Sequence, residues 1–309
     1  MSKSNQRAVY GQTLLELGRE NSRIVALEAD LGKTTMSGVF GAEFPERYFQ
    51  MGIAEQNMAG FAAGLAIEGK IPFIHSFSVF SSARPYEQLR QSVCWPGLPV
   101  KIIGVSAGLS DFMDGATHQS IDDLALMNVL PNMTVLAPCD GLEMAMAVRT
   151  AADISGPVYI RVCRNDIDDI YPSDHYEPDE PVILKDGGDV CVFSTGVMAR
   201  EALKAAGSLE SEGISARVIH LPGTKPLNEK KVIAAAEGAS AIVTCEEHSV
   251  YGGLGMILCR VFRNDPRPKE LVAIQDRFGQ SALSWEELLD HYHISADYIH
   301  AAARKALNL

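Results

Sequence analysis

The chain has 309 residues, of which 47% are hydrophobic and 21% are charged. This composition excludes a disordered or fibrous protein, because it is close to the average of globular proteins. Its 27 Lys and Arg against 39 Asp and Glu give a formal net charge of -12, which argues against a general nucleic-acid-binding protein, since such a protein needs a net basic face. Binding of small anionic ligands is not excluded, because a few local arginines can bind a phosphate.

The six cysteines form no Cys-x-x-Cys pair and are too sparse for a disulfide framework, so we expect thiols in a reducing compartment. No apolar run approaches the roughly 18 residues that a membrane span needs. The N-terminal residues lead into an amphipathic pattern and not into the apolar core of a signal peptide. We therefore expect a soluble cytoplasmic protein.

Strand and helix patterns alternate along the first 165 residues. Strands are predicted at 23–28, 71–74, 100–105, 134–137 and 158–162, and helices at 6–20, 55–68, 85–93, 122–128 and 140–152. Gly60 and Gly64 lie one turn apart inside the second of these helices. Because glycine costs about 1 kcal/mol in a helix interior, their presence predicts close packing of another backbone, and we expect a contact between chains there.

A second alternating series follows an acidic segment that contains three prolines, which we interpret as a linker over 166–188. Strands are predicted at 190–194, 216–220, 241–245 and 271–274, with helices at 197–210, 229–237, after the Gly-rich turn at 251–255, and near the C-terminus. Alternation of this kind indicates parallel sheets covered on both faces. We predict an α/β fold class with two three-layer domains built on parallel sheets, at 1–165 and 189–309.

Three polar clusters follow predicted strands, at 28–32, 52–57 and 111–119. Ligands of parallel α/β sheets bind beyond the carboxyl ends of the strands, so these clusters are candidate site residues. None has metal-ligand spacing or the pattern of a phosphate loop, and no metal site is predicted in this chain. Taken singly, Glu55 can complement a helix dipole, His118 can be a hydrogen-bonded loop residue, and Phe77 and Phe80 can be core aromatics.

In combination, these residues resemble one family. The run 51–58 (MGIAEQNM) is similar to the helix start that carries the cofactor-activating glutamate in thiamine diphosphate enzymes of the transketolase group. The run 76–80 (SFSVF) resembles their pyrimidine-binding aromatic patch, and 114–119 (DGATHQ) resembles their substrate loop. The resemblance covers essentially the whole chain, as a pyrimidine-binding (Pyr) domain followed by a transketolase C-terminal domain.

The resemblance implies roles for individual residues. Glu55 is the expected cofactor-activating acid, with Ile53, Phe77 and Phe80 holding the aminopyrimidine ring. His118 is expected to carry a proton or donate to a hydroxyl, and Asp114 to accept from a substrate hydroxyl. The further substrate-binding residues that it implies are Arg164, Arg7, Asp30 and Ser106.

The substrate loop departs from the family pattern in two places. Ser106 stands where transketolases usually have a histidine, and Phe112 and Met113 replace the usual Gly-Glu. A lost donor and added bulk should change which sugar and which anionic tail fit. Arg164 and Arg7 remain suited to a phosphate or a sulfonate, although Arg7 is equally compatible with a solvated helix face.

The diphosphate-binding Gly-Asp-Gly segment of full-length transketolases has no counterpart in this sequence. The resemblance therefore implies the small subunit of a split transketolase, which depends on thiamine diphosphate and on Mg²⁺ bound mainly by an N-terminal partner subunit. The expected assembly is a heterotetramer with two copies of each chain. Its expected reaction transfers a two-carbon ketol unit from a phosphorylated or sulfonated ketose to an aldose, and the chain alone should be inactive.

Two other interpretations remain. One is a subunit similar to deoxyxylulose-phosphate synthase or a 2-oxo acid dehydrogenase E1 β-type subunit; the 114–119 loop favours a transketolase, because a ketose hydroxyl needs such polar partners. The other is a non-catalytic regulatory subunit that retains the fold. The joint presence of Glu55, Asp114 and His118 argues against it.

Overall fold

A computed structural model of the chain describes residues 2–309, and its first half builds most of a seven-stranded sheet covered by helices. The strands of this half are β1 (Lys3–Asn5), β2 (Ile24–Glu28), β3 (Tyr48–Gln50), β4 (Ile71–Phe77), β5 (Lys101–Val105), β6 (Thr134–Leu136), β7 (Val158–Val162) and β8 (Asp166–Asp168). Its helices are α1 (Gln6–Glu20), α2 (Gly32–Thr35), α3 (Gly38–Glu43), α4 (Glu55–Ile67), α5 (Ser78–Ala83), α6 (Tyr86–Gln88), α7 (Asp123–Val129) and α8 (Gly141–Asp153). Short 3-10 turns span Pro45–Arg47 and Gly115–Thr117, and a π-helical turn spans Leu89–Cys94.

The second half builds a five-stranded sheet with its own helices. The strands of the second half are β9 (Val182–Lys185), β10 (Val190–Thr195), β11 (Ala216–Leu221), β12 (Gly223–Lys225), β13 (Ala241–Ser249) and β14 (Lys269–Ile274). All of them except β12 belong to the five-stranded sheet. Its helices are α9 (Met198–Ser211), α10 (Glu229–Ala235), α11 (Leu254–Val261), α12 (Trp285–His291) and α13 (Ala296–Ala306). None of the helices between residues 2 and 309 is both long and apolar enough to cross a membrane.

The predicted α/β class with two sheet-based domains is confirmed, and each sheet is parallel apart from one edge strand. The first sheet has the order β12-β6-β7-β5-β4-β2-β3, and the second has the order β14-β13-β10-β11-β9. The antiparallel edge strands are β12 and β9. The central strands β2, β4, β5 and β7 are buried at every residue, as expected for strands with helices on both faces.

The segment 166–188 is not a structureless linker. Strand β8 pairs antiparallel with β1 at the start of the chain, and β9 joins the edge of the second sheet. Strand β12 of the second half in turn completes the edge of the first sheet. The pairing of β12 with β6 binds the two halves through backbone hydrogen bonds, and sequence periodicity gave no indication of it. The exact domain boundaries stay a prediction.

Helix α4 buries one face, formed by Met58 and four alanines, against the first sheet. Its opposite face leaves Phe61 partly exposed, and a Cβ added at Gly60 or Gly64 would meet no atom of this chain within 4 Å. The close backbone packing predicted at these glycines is therefore absent within the described part of the chain. A contact with another chain at this face stays a prediction.

A buried ion pair lies where the two halves meet. Arg161 on β7 donates to both carboxylate oxygens of Asp123 at 3.0 and 3.2 Å, and both side chains are buried. The same guanidinium donates to the backbone carbonyl of Glu247 on β13 at 2.8 Å. The hydroxyl of Tyr159 also donates to Asp123, at 2.8 Å. The pair thus joins β7, α7 and the second sheet.

We expect Asp123→Ala to lower the free energy of unfolding by about 3–5 kcal/mol, because it leaves a buried guanidinium without its counter-ion. Denaturant unfolding of the purified chain measures this. A matched control is Glu87→Ala, which breaks an ion pair with Arg90 whose side chains are 58% and 51% exposed and should lower the stability far less, because solvent screens an exposed pair. Equal losses in the two variants would contradict the structural role given to the buried pair.

Candidate active site

Glu55 is the first residue of α4, and its carboxylate is buried although it belongs to a helix terminus. The residue is 4% exposed. Its Oε1 accepts from Arg84 Nη1 at 2.7 Å and from Ser76 Oγ at 3.4 Å. Ser76 lies near the carboxyl end of β4, so the sheet and the following segment both position this carboxylate. Both of its hydrogen bonds end on Oε1, which leaves Oε2 as an acceptor.

Aromatic rings line the same region. The rings of Phe77 and Phe80 are stacked, with centroids 6.0 Å apart and planes inclined by 21°. The imidazole of His118 meets both rings edge-on, with centroid distances of 5.8 and 5.3 Å. The Arg84 guanidinium lies 3.8 Å from the centroid of Phe80. The ion partner of Glu55 is therefore in contact with the aromatic group that also touches His118.

An open concavity of about 660 Å³ lies over Glu55 and is lined by residues 53–57 and Arg84. Ile53 stands at its rim with 73% of its surface exposed. Arg84 is partly exposed, with 45% of its side chain accessible. The concavity thus combines one buried carboxylate, one accessible cation and an exposed apolar side chain.

A second group of predicted residues gathers around Arg164, which follows β7. Its Nη1 donates to Asp111 Oδ1 at 2.6 Å and lies 4.0 Å from Asp114 Oδ2. Burial raises the pKa of the Asp111 carboxyl, against the opposing charge of Arg164. Asp111 and Asp114 belong to the 106–120 loop, as does His118, so one loop contacts both Arg164 and the aromatic rings.

Arg7 on α1 lies close enough to Arg164 for the two cations to repel each other. Burial and the positive charge of Arg164 lower the pKa of the Arg7 guanidinium. Arg7 Nη1 donates to the Thr34 carbonyl at 3.3 Å, and its buried Nε has no hydrogen-bond partner. Arg7 therefore keeps an unused donor close to a second arginine, which suits an anion. Asp111 and Asp166 lie close enough to offset part of the positive charge.

The two remaining predicted residues lie in different surroundings. Asp30 is exposed and adopts a left-handed backbone with φ of 65°, and its backbone N–H donates to Gln50 Oε1 at 2.8 Å. Ser106 is fully buried, with φ of 59° and no partner for its hydroxyl. Contact of Ser106 with a substrate stays a prediction, and this burial argues against it.

Two residues of these groups were missed by sequence reasoning as site residues. Arg84 contacts Glu55 across 29 positions of sequence, and no local pattern pairs them. Asp111 lies at the start of the predicted polar cluster 111–119, so the signal for it was present. Its role as the direct partner of Arg164 depends on the fold of the loop.

One group of side chains among residues 2–309 has the geometry for a metal ion. The ligand atoms of Cys139, Glu143 and His220 lie within 4.8 Å of one another, and all three residues are buried. His220 Nε2 is 2.9 Å from Glu143 Oε2, which ties β11 of the second half to α8 of the first. The thiol makes this group a poor match for Mg²⁺, which prefers oxygen ligands.

The comparisons with known proteins agree with this arrangement. The family model described as the transketolase pyrimidine binding domain matches residues 2–168, and that of the transketolase C-terminal domain matches residues 179–299. A 6-deoxy-6-sulfo-D-fructose transketolase subunit of Clostridium sp. is 38% identical over 97% of this chain and 93% of its own. An apulose-4-phosphate transketolase subunit of Phocaeicola vulgatus is 35% identical over 95% of this chain and 94% of its own.

A solved structure described as a split-gene transketolase in an inactive β4 tetramer superposes with a TM-score of 0.88. The two chains are 44% identical, and the superposition covers 98% of each. Thiamine diphosphate dependence is a property of this family. The chain therefore belongs to the transketolase family, and its counterparts are the C-terminal subunits of transketolases that are split into two chains.

Proposed function

We propose that this chain binds the aminopyrimidine ring of thiamine diphosphate and the sugar substrates in a two-chain transketolase. The proposed reaction transfers a two-carbon ketol unit from an anionic ketose to an aldose. The observation that carries the proposal is the Glu55 carboxylate, 4% exposed, which lines an open concavity together with Arg84. The Arg84 guanidinium lies over the ring of Phe80, which is stacked with Phe77. A buried acid next to an aromatic platform suits a flat, nitrogen-containing ring.

The residues present fit the cofactor. Glu55 Oε2 is available to a ring nitrogen because Arg84 and Ser76 both bind Oε1. Phe80 is partly exposed and offers apolar area, Ile53 at the rim offers more, and the buried Phe77 packs behind Phe80. When bound, thiamine diphosphate supplies a nucleophilic carbon and an electron sink for cleavage of the ketose.

Glu55 holds a proton between its carboxylate and the ring nitrogen in this proposal. Arg84 keeps the carboxylate in place, since its guanidinium is 2.7 Å from Oε1 and is itself held over the ring of Phe80. His118 lies against the same rings and is placed to donate to, or accept from, a substrate oxygen. Asp114, half exposed in the same loop, accepts from a substrate hydroxyl.

Arg164 and Arg7 bind the anionic end of the sugar. Burial and repulsion by Arg164 lower the pKa of Arg7, and the repulsion is relieved when an anion lies between the two cations. Asp30 is exposed and lies four residues before Thr34, whose carbonyl accepts from Arg7, and it is proposed to contact the substrate from this segment. Subunits of similar sequence are described as acting on a sulfonated ketose and on a phosphorylated one, so both tails are candidates.

A partner subunit is expected to hold the diphosphate and Mg²⁺, in an assembly of two copies of each chain. The three-residue group with metal geometry within residues 2–309 contains a thiol and is buried away from the concavity. The similar split-gene chain is described as inactive in its β4 tetramer. Both observations support an active site that this chain completes only with another polypeptide.

We expect Glu55→Gln to reduce ketol transfer by the assembled enzyme about 10²- to 10⁴-fold, because the amide cannot hold the shared proton. The measurement mixes this chain with its purified diphosphate-binding partner, thiamine diphosphate, Mg²⁺ and a panel of ketoses and aldoses. The matched control is Glu68→Gln, an exposed glutamate at the other end of α4, which should retain activity.

Undiminished transfer by Glu55→Gln would remove the proposed role of this carboxylate. Condensation of pyruvate with an aldose phosphate, without transfer between sugars, would favour the synthase-like alternative. An assembled wild-type complex with no activity on any of these substrates would favour a regulatory subunit.

We expect Arg164→Ala to raise the Michaelis constant for phosphorylated or sulfonated ketoses about 10- to 100-fold, since a charge-assisted hydrogen bond contributes about 1.5–3 kcal/mol. Steady-state kinetics of the assembled enzyme give this value. The constant for an uncharged ketose should stay within about twofold. Arg149→Ala, which removes exposed contacts with Glu16 and Glu20, serves as control, and equal effects of Arg164→Ala on charged and uncharged ketoses would rule out tail recognition.

A further inference from the structure

We infer that Glu247 of the C-terminal domain is a positioning residue that holds the 106–120 loop in its substrate-binding arrangement. This inference rests on the proposed function, because it assigns to the second domain a role in the first domain's site. It gives the second domain a role beyond packing against the first.

Two apolar residues of the loop, Leu109 and Phe112, belong to the core of the second sheet and not to that of the first. Leu109 is fully buried in the hydrophobic cluster formed by β10, β11, β13, α9, α12 and α13, and Phe112 and Ile121 pack against the same cluster. The polar residues Asp111 and His118 contact Arg164, Phe77 and Phe80 of the first domain. The loop is therefore anchored on one domain while it presents its functional groups to the other.

Backbone contacts reinforce this attachment at the substrate end of the loop. The N–H of Ala282 donates to the carbonyl of Phe112 at 2.8 Å. Gln119 Nε2 donates to the carbonyls of Gln280 at 2.9 Å and Asp111 at 3.3 Å, so one amide bridges the two domains. The segment 279–282 thus fixes both sides of the turn that carries Asp114 and His118.

The Glu247 carboxylate reaches into the start of the loop. Its Oε1 accepts from Trp285 Nε1 at 2.5 Å, and its Oε2 packs against the backbone of Gly108. A Cβ on Gly108 would collide with Oε2 of Glu247. Gly108 also has a left-handed backbone, with φ of +64°. Both the close approach and the backbone conformation therefore require glycine at this position. The carboxylate is buried, accepts from a donor of the second domain and packs against the loop backbone of the first domain.

The ionised form of Glu247 suits this contact, because the Trp285 N–H donates to a carboxylate oxygen. Burial raises the pKa of Glu247 to about 7, despite the opposing charge of Arg161 and the hydrogen bond from Trp285. The other ionisable groups that face it are Asp123, which raises its pKa, Cys163, whose own pKa it helps to raise, and Arg200, which lies over the Trp285 ring at 4.7 Å. Acidification below about pH 7 removes acceptor capacity from Glu247 and loosens the loop.

The test compares Glu247→Gln with Glu246→Gln in the assembled enzyme. Glu246 is the adjacent residue and is equally buried, but its carboxylate caps α11 by accepting from Leu254 and Gly255 at 2.6 and 2.8 Å. We expect Glu247→Gln to raise the Michaelis constant for an anionic ketose at least fivefold with a smaller change in kcat. The wild-type constant should rise below about pH 7, and this step should be absent in Glu247→Gln.

Glu246→Gln is expected to lower stability while keeping the wild-type Michaelis constant and its pH step. A wild-type constant and pH step in Glu247→Gln would overturn the inference, as would an equal rise in both variants. Inactivity of the wild-type complex in the same assay would instead count against the proposed function, which separates the two failures.

A fluorescence measurement keeps the inference testable even if Glu247→Gln does not fold. The chain has two tryptophans, and Trp95→Phe in the full chain removes the exposed one. Tryptophan emission then comes from Trp285 alone. We expect its intensity to change in one step near pH 7 as its hydrogen-bond partner gains a proton. Emission that stays constant from pH 5.5 to pH 8.5 would overturn the inference.

Discussion

One carboxylate, held out of water at the start of a helix, is the feature on which the rest of the site depends. Burying an acid costs free energy unless hydrogen bonds or charges compensate it, and Glu55 receives both from Arg84. This pair keeps the acid in place beside the rings of Phe77 and Phe80 while one oxygen stays available to a ligand. Helix α4, the end of β4 at Ser76 and the rings of Phe77 and Phe80 are proposed to function through their positions around this carboxylate.

The second domain contributes a strand, a hydrogen-bond acceptor and core residues to the structure of the first domain. Strand β12 completes the first sheet, the carbonyl of Glu247 binds the buried Arg161, and the 106–120 loop places its apolar residues in the core of the second sheet. The two domains share a sheet edge and a hydrophobic core. Because packed interiors are not easily deformed, a displacement of one domain is transmitted to the other. This organisation is the structural basis of the inferred influence of the second domain on substrate binding.

Much of the fold was predictable because its strands and helices have strong periodicity. The helix at 6–20 and the strand at 158–162 match the observed elements, and the start of the helix at Glu55 was predicted correctly. The strand 223–225 and the pairing of 166–168 with the N-terminus were not predicted, because three-residue edge strands carry too few side chains for a periodic signal. The family resemblance supplied the site residues, but the pairing of Arg84 with Glu55 and the burial of Ser106 depend on long-range packing that one sequence does not encode locally.

The proposed function requires that Glu55 contact the cofactor's pyrimidine ring in an assembly of two different chains. A structure of this chain bound to its partner with thiamine diphosphate and Mg²⁺ tests this most directly, through the distance from the Glu55 carboxylate to the nearest ring nitrogen. We predict a hydrogen bond of about 2.6–3.0 Å, with the diphosphate held by the partner subunit. A ring nitrogen beyond hydrogen-bond reach of Glu55, or a diphosphate bound wholly by this chain, would contradict the proposed function.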